Sequence, residues 1–130
     1  MRRYAGLVIA LWSVSALAFD PARWVEVKGG AWQPNSTVLV GLESALKSAV
    51  GPASRNRGRI PEWNDYTFQY QGRITLLGQK FVYINAFCHP DGRSLDKEWV
   101  EVYDGGACYF SGKYDPDKKL VYDLTVNGVA

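Results

Sequence analysis

Reactive side chains are scarce in this 130-residue chain, which has one histidine and two cysteines. A structural zinc site takes three or four ligands, mostly from these two residue types. Cys88 and His89 are neighbours, and neighbouring side chains of a strand point to opposite faces of its sheet. A Cys-His nucleophile pair is therefore not expected. No Ser-His-Asp arrangement and no glycine-rich phosphate loop can be assembled either, so the sequence predicts no metal, no cofactor and no enzyme.

Long apolar runs are also missing, with one exception near the start. Residues 5–17 are almost entirely apolar, follow two arginines and lead into an Ala-Leu-Ala motif at residues 16–18. A basic start, a short apolar run and small residues before a cleavage point are typical of a secretory signal peptide. The run is shorter than the roughly 20 residues that a transmembrane helix needs. We therefore predict a signal peptide over residues 1–18, a single domain over residues 19–130, a periplasmic or secreted location, and no stable membrane anchor after cleavage.

An excess of one charge is absent from the predicted domain. The formal charge of the whole chain is +2, and the two arginines of the predicted signal peptide account for it. The densest basic stretch of the domain is Arg55, Arg57 and Arg59, in a loop predicted over residues 51–65. A nucleic-acid reader usually shows a broad basic face, so three loop arginines predict no nucleic-acid partner.

The two cysteines, Cys88 and Cys108, are interpreted together with the predicted export. An even pair of cysteines in an oxidising compartment usually forms a disulfide. In the chain-entropy model, closing a loop of about twenty residues stabilises a domain by about 3 kcal/mol. We therefore predict a Cys88–Cys108 disulfide that contributes a large share of the stability.

One amphipathic helix is predicted near the start of the domain. Asn35 and Ser36 are good N-cap residues, and apolar residues then recur at helical spacing. These apolar residues are Val38, Leu39, Leu42, Ala45, Leu46 and Ala49. Gly51 and Pro52 are predicted to end the helix, because glycine suits the position after a helix and proline cannot continue one.

Most of the remaining sequence has the pattern of strands. Alternating or strongly apolar runs predict strands at residues 66–77, 80–88, 98–103, 107–114 and 120–126, after an edge strand or extended arm at residues 24–28. Turn signals separate them, and Asp115-Pro116-Asp117 is predicted to be a turn rather than a calcium loop. We predict an α+β fold in which one N-terminal helix packs on a four- to five-stranded antiparallel meander sheet.

This element order resembles the cystatin-like architecture, in which an antiparallel sheet wraps one helix. The chain lacks the Gln-x-Val-x-Gly hairpin of cystatin protease inhibitors, and its nearest string, residues 69–72, does not match it. Inhibition of papain-type proteases is therefore not implied. Residues 81–88, 104–110, 114–116 and 126–130 also resemble small exported bacterial proteins of unknown function. That resemblance implies export and lends no activity.

Tryptophans and loop arginines are the candidate binding residues. Trp32 and Trp63 lie beside prolines in predicted loops, where such side chains either anchor a partner or fill the ends of the helix–sheet sandwich. The predicted contact surface consists of Trp32, Arg55, Arg57, Arg59 and Trp63. The leading hypothesis is an exported non-enzymatic binding module, such as an inhibitor or immunity-type protein that masks a protein partner.

Two alternatives stay open. The same aromatic side chains could bind a cell-envelope polysaccharide such as peptidoglycan. A weak hydrolase could use Glu98, Glu101 or Asp104, provided that two of these carboxylates share a cleft. The sequence leaves the oligomeric state undetermined.

Overall fold

The computed structural model describes residues 19–89 and 92–129, and the predicted signal peptide over residues 1–18 lies outside these ranges. The described residues form one α-helix and one five-stranded sheet, so the predicted α+β fold is confirmed. The elements are β1 (Trp24–Glu26), α1 (Ser36–Ala53), β2 (Thr67–Ile74), β3 (Lys80–Phe87), β4 (Tyr109–Asp115) and β5 (Leu120–Val126), with short 3₁₀ helices at Pro21–Arg23, Trp63–Asp65 and Gly106–Cys108. Among these residues, no helix is both long and apolar enough to cross a membrane.

The sheet is mixed, so the prediction of a purely antiparallel meander is wrong at its first strand. The strands follow one another across the sheet in chain order, and β2 to β5 are antiparallel. β1 instead runs parallel to β2, with Trp24 beside Phe68. Parallel neighbours need a long crossover that usually contains a helix, and α1 lies in the connection between these two strands. The first three elements are thus a β-α-β unit at the edge of a meander.

Helix α1 begins as predicted and ends later than predicted. The side-chain oxygen of Asn35 accepts a hydrogen bond from the backbone N–H of Val38 at 3.0 Å. The helix then continues through Ala53, so Gly51 and Pro52 do not stop it. Proline lacks the N–H for the hydrogen-bond ladder and its ring crowds the preceding turn, yet Pro52 is followed by one more helical residue, and the backbone N–H of Ser54 still donates to the carbonyl of Val50 at 2.9 Å.

The core lies between α1 and one face of the sheet. Leu42 and Leu46 of the helix are fully buried, and the sheet contributes Phe68, Ile84 and Phe110. Burying such side chains is the main stabilising contribution to a domain of this size. The apolar residues whose helical spacing predicted α1 therefore include the residues that pack the helix on the sheet, such as Leu42 and Leu46.

Residues 98–103 form no strand, so that prediction is wrong. The segment lies instead against Gln69 and Asn85, two side chains on the sheet face that α1 leaves open. The side-chain oxygen of Gln69 accepts from the backbone N–H of Val100 at 2.9 Å, and the side-chain nitrogen of Asn85 donates to the Val100 carbonyl at 2.8 Å. Side chains of the sheet thus satisfy backbone groups that a neighbouring strand would otherwise pair.

Candidate functional site

The predicted disulfide is present between Cys88 and Cys108, whose Cα atoms lie 5.2 Å apart. It joins the residue that follows β3 to the 3₁₀ turn that precedes β4. Cys108 is buried and Cys88 is half-buried. The crosslink therefore fixes this end of the sheet and also forms part of its surface.

A cavity of about 390 Å³ lies beside the disulfide, and we call it the basic cavity. Its wall includes both cysteines, Arg57, Arg59, Asp65 and His89. Arg57 and Arg59 were predicted as contact residues from the sequence, and the structure brings them to the same wall as the crosslink. Two arginines and one aspartate give this wall an excess of basic residues.

Hydrogen bonds hold the backbone of the arginine loop in place. The carbonyl oxygen of Arg57 accepts from the backbone N–H of Ala107 at 2.8 Å, and the Arg57 N–H donates to the carbonyl of Ser54 at 3.1 Å. Gly106 permits this approach, because a Cβ at its position would collide with the Arg57 carbonyl, and its φ of +66° suits glycine. Gly106 therefore lets the arginine loop lie against the 3₁₀ turn that carries Cys108.

Tyr66 supports the same region from inside the core. Its hydroxyl donates a hydrogen bond to the carbonyl oxygen of Ala107, next to the disulfide. Burial of the side chain raises the pKa of Tyr66 to about 12. The phenol therefore stays protonated, and stays a donor, at any pH near neutral.

His89 and the two cysteines could form a metal-binding trio by position alone, since their ligand atoms lie within 4.8 Å of one another. The two sulfurs are bonded to each other in the structure. A thiolate is the form of cysteine that binds a metal. In the disulfide state, the trio therefore offers a metal one ordinary ligand, the His89 imidazole.

The other predicted contact residues lie away from the basic cavity. Arg55 is exposed on the same loop, outside the cavity wall. The indole nitrogen of Trp63 donates to the Glu43 carboxylate at 2.9 Å, and its ring packs on Phe68 with centroids 5.3 Å apart. The packing of Trp63 favours the interpretation that this tryptophan fills an end of the helix–sheet sandwich.

Trp32 lies towards the opposite end of the sheet. It forms an isolated bridge with Gly72, and its indole nitrogen donates to the carbonyl of Arg73 at 2.9 Å. Gly72 permits this contact because a Cβ there would collide with the Trp32 backbone. The five predicted contact residues therefore do not form one surface.

A second cavity, of about 350 Å³, lies on the sheet face that α1 leaves open. We call it the aromatic groove, and its lining includes Arg73, Tyr83, Asn85, Trp99 and Glu101. The rings of Tyr83 and Trp99 meet edge to face with centroids 5.1 Å apart, and the Arg73 guanidinium lies 4.4 Å from the Tyr83 centroid. The alternation of Gln69, Gln71 and Arg73 along β2 is the sequence signal that marks this face as polar and partly buried.

Of the three acidic residues considered for hydrolysis, Glu101 lies on the wall of a cavity. Glu101 lines the aromatic groove, whereas Glu98 and Asp104 contribute backbone carbonyls that accept hydrogen bonds from Gln69 and Asn127.

The Asp115 carboxylate accepts hydrogen bonds from the backbone N–H groups of Asp117 and Lys118, which confirms the predicted turn.

No family model matches this sequence, and no curated protein or solved structure is significantly similar to it. The cystatin-like comparison thus stays a prediction from element order. The geometry of the two cavities is the basis for a functional assignment.

Proposed function

We propose that this chain is an exported, non-enzymatic binding module that recognises an acidic segment of a protein partner through the basic cavity. The observation that carries the proposal is the convergence of Arg57 and Arg59 on a cavity walled by the disulfide. Disulfides persist in oxidising compartments, which supports a periplasmic or secreted location. An inhibitor or immunity-type role, in which the module masks its partner, is the form of this function that we favour.

The chemistry of the wall supports an acidic protein segment as the ligand. Guanidinium groups bind carboxylates with two parallel hydrogen bonds, and charge-assisted bonds of this kind are stronger than neutral ones. Pro61, Val129 and the disulfide add apolar surface to the same wall. Because the bond between the Ala107 N–H and the Arg57 carbonyl already holds the loop, little ordering is required when the ligand arrives.

Replacing Arg57 and Arg59 together by alanine is expected to weaken partner binding by at least about tenfold, the loss of one or two charge-assisted hydrogen bonds. The mature protein serves first as bait in an envelope extract. The affinity of the captured partner is then measured by surface plasmon resonance for wild type and variant.

Arg55→Ala is the matched control, because Arg55 is an exposed arginine on the same loop that does not line the cavity. It should leave the affinity within about twofold of wild type, as expected for a charge at the rim of an interface. Equal losses in the Arg55→Ala variant and the double variant would contradict the proposal, because they would indicate general charge attraction to the loop.

A polysaccharide-binding function is the second candidate, and the aromatic groove favours it. Tyr83 and Trp99 present aromatic rings beside the charged side chains of Arg73 and Glu101, a combination of apolar and polar groups typical of small-molecule sites. Among the described lining residues Glu101 is the sole carboxylate, whereas glycoside hydrolysis uses two. Binding without hydrolysis is therefore the function that this groove supports.

Titration with soluble peptidoglycan fragments separates the two candidates. If the groove binds them, the tryptophan fluorescence of the protein changes on titration, and Trp99→Leu lowers the affinity at least about tenfold by removing one ring of the pair. The Arg57→Ala, Arg59→Ala double variant should respond as wild type does. A full response from the Trp99→Leu protein, measured by calorimetry, would exclude the groove as the polysaccharide site.

A further inference from the structure

Two leucines project from the tip of the β2–β3 hairpin. Leu76 and Leu77 have relative exposures of 106% and 91%, and Ile74, at the end of β2, has 45%. Single exposed apolar residues are ordinary on protein surfaces. Two adjacent exposed leucines at the tip of a hairpin instead form a contiguous apolar patch, and contiguous exposed apolar patches mark interaction sites.

The two leucines lie in a turn that backbone hydrogen bonds close. The backbone N–H of Thr75 donates to the carbonyl of Gln79, and that of Gly78 donates to the carbonyl of Thr75, both at 2.9 Å. The Thr75 hydroxyl oxygen also accepts from the Gln79 N–H at 3.0 Å, and Gly78 supplies the φ of +86° that the turn requires. The hairpin therefore holds both leucines outward before any ligand arrives.

Basic residues outnumber acidic ones at this end of the sheet, although the Arg73 guanidinium lies over the Tyr83 ring and the Lys80 ammonium over the Trp32 ring. The hairpin from residue 66 to residue 89 carries Arg73 and Lys80 and no acidic residue. β3 is antiparallel to both β2 and β4, so the β4–β5 turn lies at the same end of the sheet and adds the exposed residues Lys118 and Lys119. The turn also contains two aspartates, and the carboxylate of one, Asp115, is engaged by backbone N–H groups.

We propose that this end of the sheet docks reversibly on an anionic lipid surface, with Leu76 and Leu77 entering the boundary between headgroups and acyl chains. An apolar tip at an end of the sheet with an excess of basic residues matches both layers of such a surface, since lysines are attracted to anionic headgroups and leucines to the acyl region. Leu120, 53% exposed at the start of β5, lies at the same end and enlarges the apolar contact.

This surface is independent of the basic cavity. The cavity lies beside Cys88, at the end of β3 that is opposite to Lys80. Docking through the hairpin would therefore present the cavity away from the membrane. A protein attached in this way could meet its partner while held on the lipid.

Flotation with vesicles tests the proposal. The full-length gene product, as recovered from cells, is mixed with vesicles of phosphatidylglycerol and phosphatidylcholine or of phosphatidylcholine alone, and mass spectrometry confirms the same N-terminus for every variant. Wild type should float with the anionic vesicles and much less with the neutral ones. Leu76→Ser, Leu77→Ser should lower the partition coefficient by at least about 30-fold, because two leucines lose their apolar burial.

Ile60→Ser is the matched control, since Ile60 is 52% exposed and lies in the arginine loop, away from the hairpin. It should float as wild type does, and both serine variants should keep the wild-type circular dichroism and melting temperature. The proposal is overturned if wild type does not bind the anionic vesicles. The leucine tip would then be a surface that inserts into a cleft of a partner protein. Equal binding to neutral vesicles, or an equal loss in Ile60→Ser, also overturns it.

Discussion

Replacing Cys88 and Cys108 by alanine is expected to lower the free energy of unfolding by about 3 kcal/mol, the chain-entropy value for a loop of this length. The two cysteines are 20 positions apart. Between them, the described part of the chain has no strand and is held to the sheet mainly by side chains. Without the crosslink, this segment gains conformational freedom in the unfolded state.

Urea unfolding followed by tryptophan fluorescence measures this effect. Wild type treated with dithiothreitol is the control, because it loses the crosslink and keeps both side chains. The reduced wild type and the double alanine variant should unfold at similar urea concentrations. A loss below about 1 kcal/mol in both proteins would show that the unfolded chain is already restricted in this segment without the crosslink, contrary to the entropic argument.

The same experiment bears on the basic cavity. Ala107, whose N–H holds the arginine loop through the Arg57 carbonyl, precedes Cys108 directly. Loss of the crosslink should therefore loosen the loop as well as the core. Unchanged partner affinity in the reduced protein would mean that the glycine-permitted contact alone is enough to position the two arginines.

Local patterns in the sequence predicted the elements whose stability is local. The Asn35 cap and the apolar spacing of α1 act within a few turns of chain, and the structure confirms both. The alternation from residue 66 onward likewise predicted the β2–β3 hairpin and its neighbours. The disulfide could be predicted because two cysteines allow a single pairing.

The errors at β1 and at residues 98–103 have a different cause, because each depends on contacts between distant parts of the chain. Residues 98–103 alternate like a strand, but the backbone N–H of Val100 donates its hydrogen bond to the side chain of Gln69, 31 positions away in the chain. Pairing of β1 with β2 depends on the route of the helix between them, and local alternation does not encode it.

The candidate sites were only partly predictable for the same reason. Nothing local places Arg57 beside the disulfide, since the bond that does so comes from Ala107. Apolar character alone predicts burial, so the sequence gives no sign that Leu76 and Leu77 are exposed. Exposure becomes visible once the turn that carries them is known to lie at the tip of a hairpin.

Gln69→Met is expected to destabilise the protein by roughly 3–4 kcal/mol, because several buried partners lose their hydrogen bonds at once. Gln69 is fully buried. Its side-chain nitrogen donates to the carbonyls of Leu95 and Glu98, at 2.9 and 2.6 Å, and its oxygen accepts from Asn85 and Val100. Methionine has a similar shape and replaces none of these bonds, so the loss measures hydrogen bonding rather than packing.

Gln69→Glu separates the donor bonds from the acceptor bonds. Glutamate keeps the oxygen that accepts from Val100, but its carboxylate faces the carbonyls of Leu95 and Glu98 without a proton to donate. Burial and these carbonyls should raise the pKa of the introduced carboxyl in the folded state. A raised folded-state pKa means that stability is retained below the unfolded value and lost as pH rises through the folded value.

The Gln69→Glu variant should therefore approach wild-type stability at about pH 4 and fall well below it at pH 7, since the unfolded pKa of glutamate is about 4.3. Urea unfolding at both pH values, with wild type as the reference, gives the difference directly. Hydrogen exchange at the Val100 amide should accelerate in Gln69→Met and stay slow in Gln69→Glu at the lower pH. A Gln69→Glu protein whose deficit is the same at both pH values would show that water, rather than Gln69, satisfies the carbonyls of the 94–100 segment.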